Sequence, residues 1–201
     1  VGLYQKKKLL IDKEYDLCII SSDGRRNPDI IQEKGIQNIA INNRKIDQLI
    51  YKYINENNLR LVIALSTGSV DEKNYYREIF GGAVKLIDRS NEYSTYNTVS
   101  MSNISVSFMS TMILETIALG NKAISIHFED TDLYFDYPKE IKYLYHDYNS
   151  FKNHMDKLLK MTDQEYLEYI KASKDLIMNN NIDHPPHLMI KKHLNNIINN
   201  T

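Results

Sequence analysis

The sequence predicts an α/β fold: a doubly wound parallel sheet of about five or six strands, followed by a helical C-terminal region. Three observations lead there. Short, nearly uninterrupted apolar runs alternate with segments of helical periodicity, as a parallel sheet and its crossover helices require. Several of these runs end in Ser, Gly or Asp, which turn the chain at a strand's carboxyl end. Beyond about residue 140 helical spacing dominates.

In order along the chain, residues 17–21 read as a strand covered on both faces, closed by Ser21-Ser22-Asp23-Gly24. Asn27-Pro28-Asp29 opens a short helix through Gln32 and Lys34, stopped by Gly35. Ile39-Ala40-Ile41 reads as the next strand. Asn42 or Asn43 would then cap a helix in which Ile46, Leu49, Ile50, Tyr53 and Ile54 recur at helical spacing. Residues 59–65 form the clearest strand of the first half, with Arg60 as the only charge, and end in Ser66-Thr67-Gly68-Ser69. A helix over 71–80 stops at Gly81-Gly82, and a short strand over 84–87 leads to Asp88-Arg89. Residues 93–101 are a polar helix or an irregular connection. Strand 104–108, turn 109–111, helix 112–119 and strand 123–126 follow, with Gly120-Asn121 stopping the helix. Helices over 149–161, 162–179 and 188–198 complete the chain, the second opened by the capping-box pattern Thr162-Asp163-Gln164-Glu165. The simplest organisation is one domain over residues 1–201, its helical part lying at about 140–201.

Composition narrows the function classes. Lys and Arg number 25 against 26 Asp and Glu, a net charge of -1, so no global field draws the chain to nucleic acid or an anionic membrane. One cysteine excludes an internal disulfide and a cysteine-based structural zinc site. It lies in Leu17-Cys18-Ile19-Ile20, as a small core hydrophobe would, and suits a reducing cytoplasm. No cleavable signal is visible. The longest apolar-leaning stretch, 104–126, holds too many polar groups for a transmembrane segment. A cytoplasmic location is expected, with peripheral attachment at the inner membrane as the variant, and the lack of an initiating methionine hints at a fragment. The 15 Tyr and the heavy use of Asn, Lys and Ile reflect a compositional bias, so scattered Tyr and Asn are discounted as functional signals.

Open α/β sheets bind ligands beyond the carboxyl ends of their strands, which singles out loops 21–26, 66–72, 88–96 and 108–112. In the last of these, a strand delivers Ser110 and Thr111 to the first turn of a helix. Free backbone N–H groups and the positive end of the helix dipole favour a phosphate there, and two hydroxyls add donors. Glu115 lies one turn beyond Thr111 on the same face, where its carboxylate reaches sugar hydroxyls beside that phosphate. The plainer alternative is an N-cap followed by an acid that complements the dipole. A capping box, however, needs its acid three residues after the cap, and Glu115 is four after Thr111 and five after Ser110. The residues alone admit both readings.

The stretch from Ile104 to Thr111, with Glu115-Thr116-Ile117-Ala118-Leu119-Gly120 and Asn121-Lys122-Ala123-Ile124 after it, resembles the donor-site motif of GT-B glycosyltransferases. There an apolar strand precedes Ser-Thr, then Glu, a small residue, Gly and a final strand. The wider run, with Tyr53-Ile54-Asn55-Glu56-Asn57-Asn58-Leu59 and Tyr75-Tyr76-Arg77-Glu78-Ile79-Phe80-Gly81, is similar to bacterial lipopolysaccharide and capsule transferases. The resemblance spans roughly residues 15 to 175, and its specificity lies in 104–124. It implies a Rossmann-like C-terminal half that holds a nucleotide-sugar as substrate, without cofactor or metal, for transfer to a carbohydrate acceptor. By that analogy Ser110 and Thr111 contact the donor phosphate and Glu115 the ribose or sugar hydroxyls. The family builds its active site between two such domains, whereas this chain has room for one. The N-terminal domain that would bring the acceptor site and catalytic base is then missing or a separate chain. A UDP-sugar 2-epimerase-like fragment and a non-catalytic nucleotide- or partner-binding module are the alternatives.

The remaining loops carry weaker signals. Ser22, Gly24, Arg25 and Arg26 bring a Gly turn and two guanidinium groups within reach of a diphosphate, against the plainer reading of a solvated turn. Ser66-Thr67-Gly68-Ser69 is similar to a phosphate cradle but lacks the spacing and lysine of a P-loop, which favours an ordinary loop. Asp88 lies at a strand end near where a base or ribose would approach. His127-Phe128-Glu129-Asp130-Thr131-Asp132 gathers acid–base and metal-ligating types, with a capped acidic loop preferred. In His184-Pro185-Pro186-His187 a helix-initiating turn is preferred to a metal site.

Overall fold

A computed structural model of the protein describes residues 12–22, 37–108, 110–128, 137–173 and 186–199. In chain order the elements are β1 (Tyr15–Ile20), α1 (Gln37–Asn57), β2 (Leu61–Ala64), α2 (Val70–Phe80), β3 (Lys85–Ile87), α3 (Ser94–Ser100) and β4 (Ser102–Ser107). Then come α4 (Thr111–Ala118), β5 (Lys122–His127), β6 (Lys142–Leu144), α5 (Tyr148–Lys160), α6 (Asp163–Tyr169) and α7 (Pro186–Asn199). The strands form one six-stranded sheet in the order β3-β2-β1-β4-β5-β6. All five pairings are parallel, with Leu17 beside Leu61 on one side and Ile104 on the other. This is the expected Rossmann-like, doubly wound arrangement.

The chain winds outward from β1 through β2 to β3, then returns to β4 on the other side of β1. Because parallel crossovers are right-handed as a rule, this strand order puts α1 and α2 on one face and α3 and α4 on the opposite one. Side-chain bonds follow that division. Tyr75 of α2 donates to Asp47 of α1 at 2.8 Å, Tyr53 of α1 donates to Asp156 of α5 at 2.7 Å, and Tyr96 of α3 donates to Glu115 of α4. Between the layers lies a core that includes Leu17, Ile19, Val62, Ile63, Ile104, Val106, Ile124 and Ile126. Burying each such aliphatic side chain contributes about 1.5–3 kcal/mol against the entropy of ordering the chain. Cys18 is part of this core, and burial pushes its thiol up to about 12, so it remains an inert hydrophobe.

Lys122 opens β5 and is only 3% exposed. Its ammonium donates to the carbonyls of Leu158 at 2.8 Å and Met161 at 2.5 Å, with Leu159 at 3.4 Å. These oxygens close α5, where the helix presents unpaired carbonyls and the negative end of its dipole. Burial lowers the Lys122 pKa, the cost of fastening helix to sheet with a cation.

Several elements differ from the sequence expectation. Residues 39–41 are the first turns of α1 and not a strand, because a three-residue apolar run has no periodicity that separates the two forms. Asn42 and Asn43 are correspondingly buried inside that helix instead of capping it. The strand count holds because β6, three residues long and unforeseen, takes the vacated place. Residues 94–100 are helical, which resolves the ambiguous polar connection. The helix expected over 162–179 begins as foreseen, with Thr162 and Glu165 exchanging capping bonds; a turn at Ile170 separates α6 from helical residues 171–173, and 174–179 lie outside the described residues. The helix expected through Gln32 and Lys34 lies outside the described residues.

Candidate functional site

The order of the sheet fixes where a cleft forms. Crossovers from β1 and from β4 run in opposite directions, so their connections diverge and leave a crevice beyond the strands' carboxyl ends. A cleft of about 460 Å³ lies there, within the range of small-molecule sites. Its walls combine Ser21 and Ser22 after β1, Ser66 after β2 and Arg89 and Glu92 after β3. Thr95 and Tyr96 of α3, and Ser110, Thr111, Met112 and Glu115 at the start of α4, complete them. Five expected residues, Ser22, Ser66, Ser110, Thr111 and Glu115, thus share one cavity.

Ser110 is the N-cap of α4, with extended backbone at φ -119° and ψ 127°, yet its hydroxyl makes no capping bond. Its carbonyl accepts from the Ile113 N–H at 3.0 Å and from the Tyr137 hydroxyl at 2.9 Å. The backbone is therefore fixed while the hydroxyl stays uncommitted to the helix. Thr111 follows as the first helical residue and is exposed to the cleft. One turn on, Glu115 turns away from the cap and accepts a hydrogen bond from Tyr96. Burial, reinforced by the Glu115 carboxylate, pushes the Tyr96 phenol up to about 12, so it donates at neutral pH.

The loop after β2 is organised around Glu72. This buried carboxylate of α2 accepts the backbone N–H groups of Ser66 at 2.8 Å, Thr67 at 3.0 Å and Gly68 at 2.8 Å. It also accepts the Ser21 hydroxyl at 2.5 Å, which ties the end of β1 to the end of β2. Burial raises the Glu72 pKa, but Ser21 and the three N–H groups outweigh it and hold the carboxyl below its ordinary value. The cradle formed by residues 66–68 therefore already holds an internal anion. Gly68 completes the turn at φ +73°, with Asp88 packed against its α-carbon. Asp88 pairs with Lys73 at 2.8 Å and is not among the cleft-lining residues, whereas its neighbour Arg89 is. Among the described residues Arg89 has no ion-pair partner within 4.0 Å.

Gly24 and Arg25, with Arg26, lie outside the described residues, as do 129–136 of the acidic loop and His184 and Pro185. His127 ends β5 in the core, its Nε2 2.8 Å from the Ser125 hydroxyl and its ring against Phe108 and Tyr137. α7 opens at Pro186, in keeping with a helix-initiating turn. Among the described residues no cluster of three His, Cys, Asp or Glu is placed to hold a metal. Tyr96 and Tyr137 carry no local sequence signal, since they lie in polar or irregular context and take their roles from residues 19 and 27 positions away.

Sheet order and cleft define the chain as a Rossmann-like α/β protein with a ligand-sized crevice at its topological switch point. Residues 40–192, well over half of the chain, match a family described as "putative O-antigen biosynthesis protein". The chain belongs to that family, whose description points to cell-surface polysaccharide biosynthesis. No curated protein matches it. Among the described residues no helix is long and apolar enough to cross a membrane.

Proposed function

We propose that this chain is the nucleotide-sugar-binding half of a glycosyltransferase of cell-surface polysaccharide biosynthesis. The observation that carries the reading is the convergence of the uncapped Ser110 hydroxyl, Thr111, Arg89 and Glu115 on one cleft. A donor phosphate at the start of α4 would meet backbone N–H groups, two hydroxyls and the positive end of the dipole, with Arg89 as counter-charge. The Glu115 carboxylate is acceptor-only, so it suits ribose or sugar hydroxyls rather than a second phosphate. In transfer, the cationic end would stabilise the departing nucleotide phosphate as charge develops on it. The acceptor hydroxyl and the base that deprotonates it would come from a second domain or chain. The family's description supports the carbohydrate setting.

Thermal unfolding with UDP, CMP and GDP at millimolar concentration tests the reading. Ligand at about ten times its Kd stabilises by about 1.4 kcal/mol, or about 3–5 °C in a chain of this size. Ser110→Ala and Glu115→Ala should diminish the shift without altering the unliganded melt by more than about 2 °C. Absence of any shift with all three nucleotides refutes the donor-site assignment.

A further inference from the structure

The cleft is lined by the cation Arg89 and by two carboxylates, Glu92 and Glu115, and no ion pair within 4.0 Å forms among them. Arg89 has no ion-pair partner among the described residues, and Glu115 is bonded by the neutral hydroxyl of Tyr96. Arg89, Tyr96 and Glu115 line the same cleft, where Glu115 and Glu92 raise the pKa of the Tyr96 hydroxyl and Arg89 lowers it. Two opposite charges so placed ordinarily neutralise each other, and a neutralised guanidinium is a poor phosphate ligand. We infer that Tyr96 is a positioning residue that holds the Glu115 carboxylate off Arg89 and thereby keeps that guanidinium open to a phosphate in the cleft.

The geometry of α3 and α4 supports this. Tyr96 reaches Glu115 from the neighbouring helix α3, so the carboxylate is fastened between two helices and forms no ion pair with Arg89. Only one carboxylate oxygen, Oε2, is used, and no described residue bonds Oε1, which remains available to a ligand hydroxyl. A phenol suits the task because it donates one hydrogen bond without adding charge. A lysine there would neutralise the carboxylate, and a phenylalanine would release it. The inference rests on the cleft binding a phosphate-bearing ligand, as proposed above.

Isothermal titration of pyrophosphate and of UDP, CMP and GDP into the whole chain at low ionic strength provides the test. The variants are Tyr96→Phe, Glu115→Gln, the pair combined, and Arg89→Ala with and without Tyr96→Phe. Tyr96→Phe should weaken phosphate binding about five-fold, the scale of one partly exposed ion pair competing for Arg89. Adding Glu115→Gln should bring pyrophosphate affinity back to within about two-fold of Glu115→Gln alone, since the competing charge is gone. Tyr96→Phe should have no further effect in the Arg89→Ala background. A loss that Glu115→Gln leaves in place, or no loss at all, overturns the inference. If the wild-type chain binds neither pyrophosphate nor any nucleotide, the proposed function fails instead.

Discussion

Replacing Glu72 with Gln preserves shape while removing one buried charge, and the consequence follows from its partners. One carboxylate oxygen accepts Ser21 and the Ser66 N–H, and the other accepts the Thr67 and Gly68 N–H groups. Gln keeps a single acceptor oxygen, so whichever way its amide turns, one of these sets faces an NH2 group. A hydrogen bond to a charged group contributes about 1.5–3 kcal/mol, and loss of one set in a partly solvated loop should cost about 2–3 kcal/mol. For a chain of this size that lowers Tm by about 4–12 °C. The sign of the pH dependence is fixed as well. The folded pKa of Glu72 is held below the unfolded value of about 4.3, so between the two the unfolded chain binds more protons. Its stabilisation is complete above pH ~4.3 and is lost as pH falls through the folded value. Urea unfolding of wild type and Glu72→Gln from pH 7 to 3 should show curves that converge at the acid end. A difference below about 0.5 kcal/mol at pH 7, or one that does not shrink in acid, refutes this account.

Two more predictions concern stability. Burial, with Lys157 nearby, lowers the His154 pKa, so the unfolded chain takes up the extra proton as pH drops below ~6.5. Stability should decline from pH 6.5 toward the folded pKa, and urea titrations of His154→Gln should show a flatter profile over that interval. At Gly68 a β-carbon would sit 2.3 Å from Asp88 Oδ1, and the backbone already lies at φ +73°. Gly68→Ala should therefore cost about 1–3 kcal/mol in denaturant unfolding. Adding Asp88→Ala should relieve the steric part and leave the backbone part, so full additivity of the two losses contradicts the contact.

Much of the fold was legible because its signals are local. The runs around Leu17, Val62, Ile104 and Ile124 announce buried parallel strands without reference to anything distant. Thr162 and Glu165 specify their own capping box. Ser110, Thr111 and Glu115 fall within the cap and first two turns of one helix as soon as strand and helix are assigned. Ser69 and Glu72 also stand at capping-box spacing. Here the Glu72 N–H bonds Ser69, but the carboxylate goes to residues 66–68. The errors have equally local causes. Ile39-Ala40-Ile41 and Lys142-Tyr143-Leu144 are too short for periodicity to decide, and one became helix and the other strand. Tyr96 and Tyr137 find their partners in other elements, so nothing local separates them from the chain's many other tyrosines.

The sequence by itself determined the α/β alternation, the buried strands and a helix start furnished with two hydroxyls and an acid. Each of these is set by residue spacing over a few turns or strand positions. Tertiary structure alone decided the order β3-β2-β1-β4-β5-β6, and with it the company that Ser110, Thr111 and Glu115 keep. Laying β4 beside β1 brings the ends of β1 and β2, the β3 loop and α3 around one crevice. The same packing gives the 66–68 N–H groups to Glu72, pairs Asp88 with Lys73 and leaves Arg89 open. Which loops share a cleft, and which charges within it are already satisfied, depends on neighbours far apart in the chain, and no local pattern encodes that.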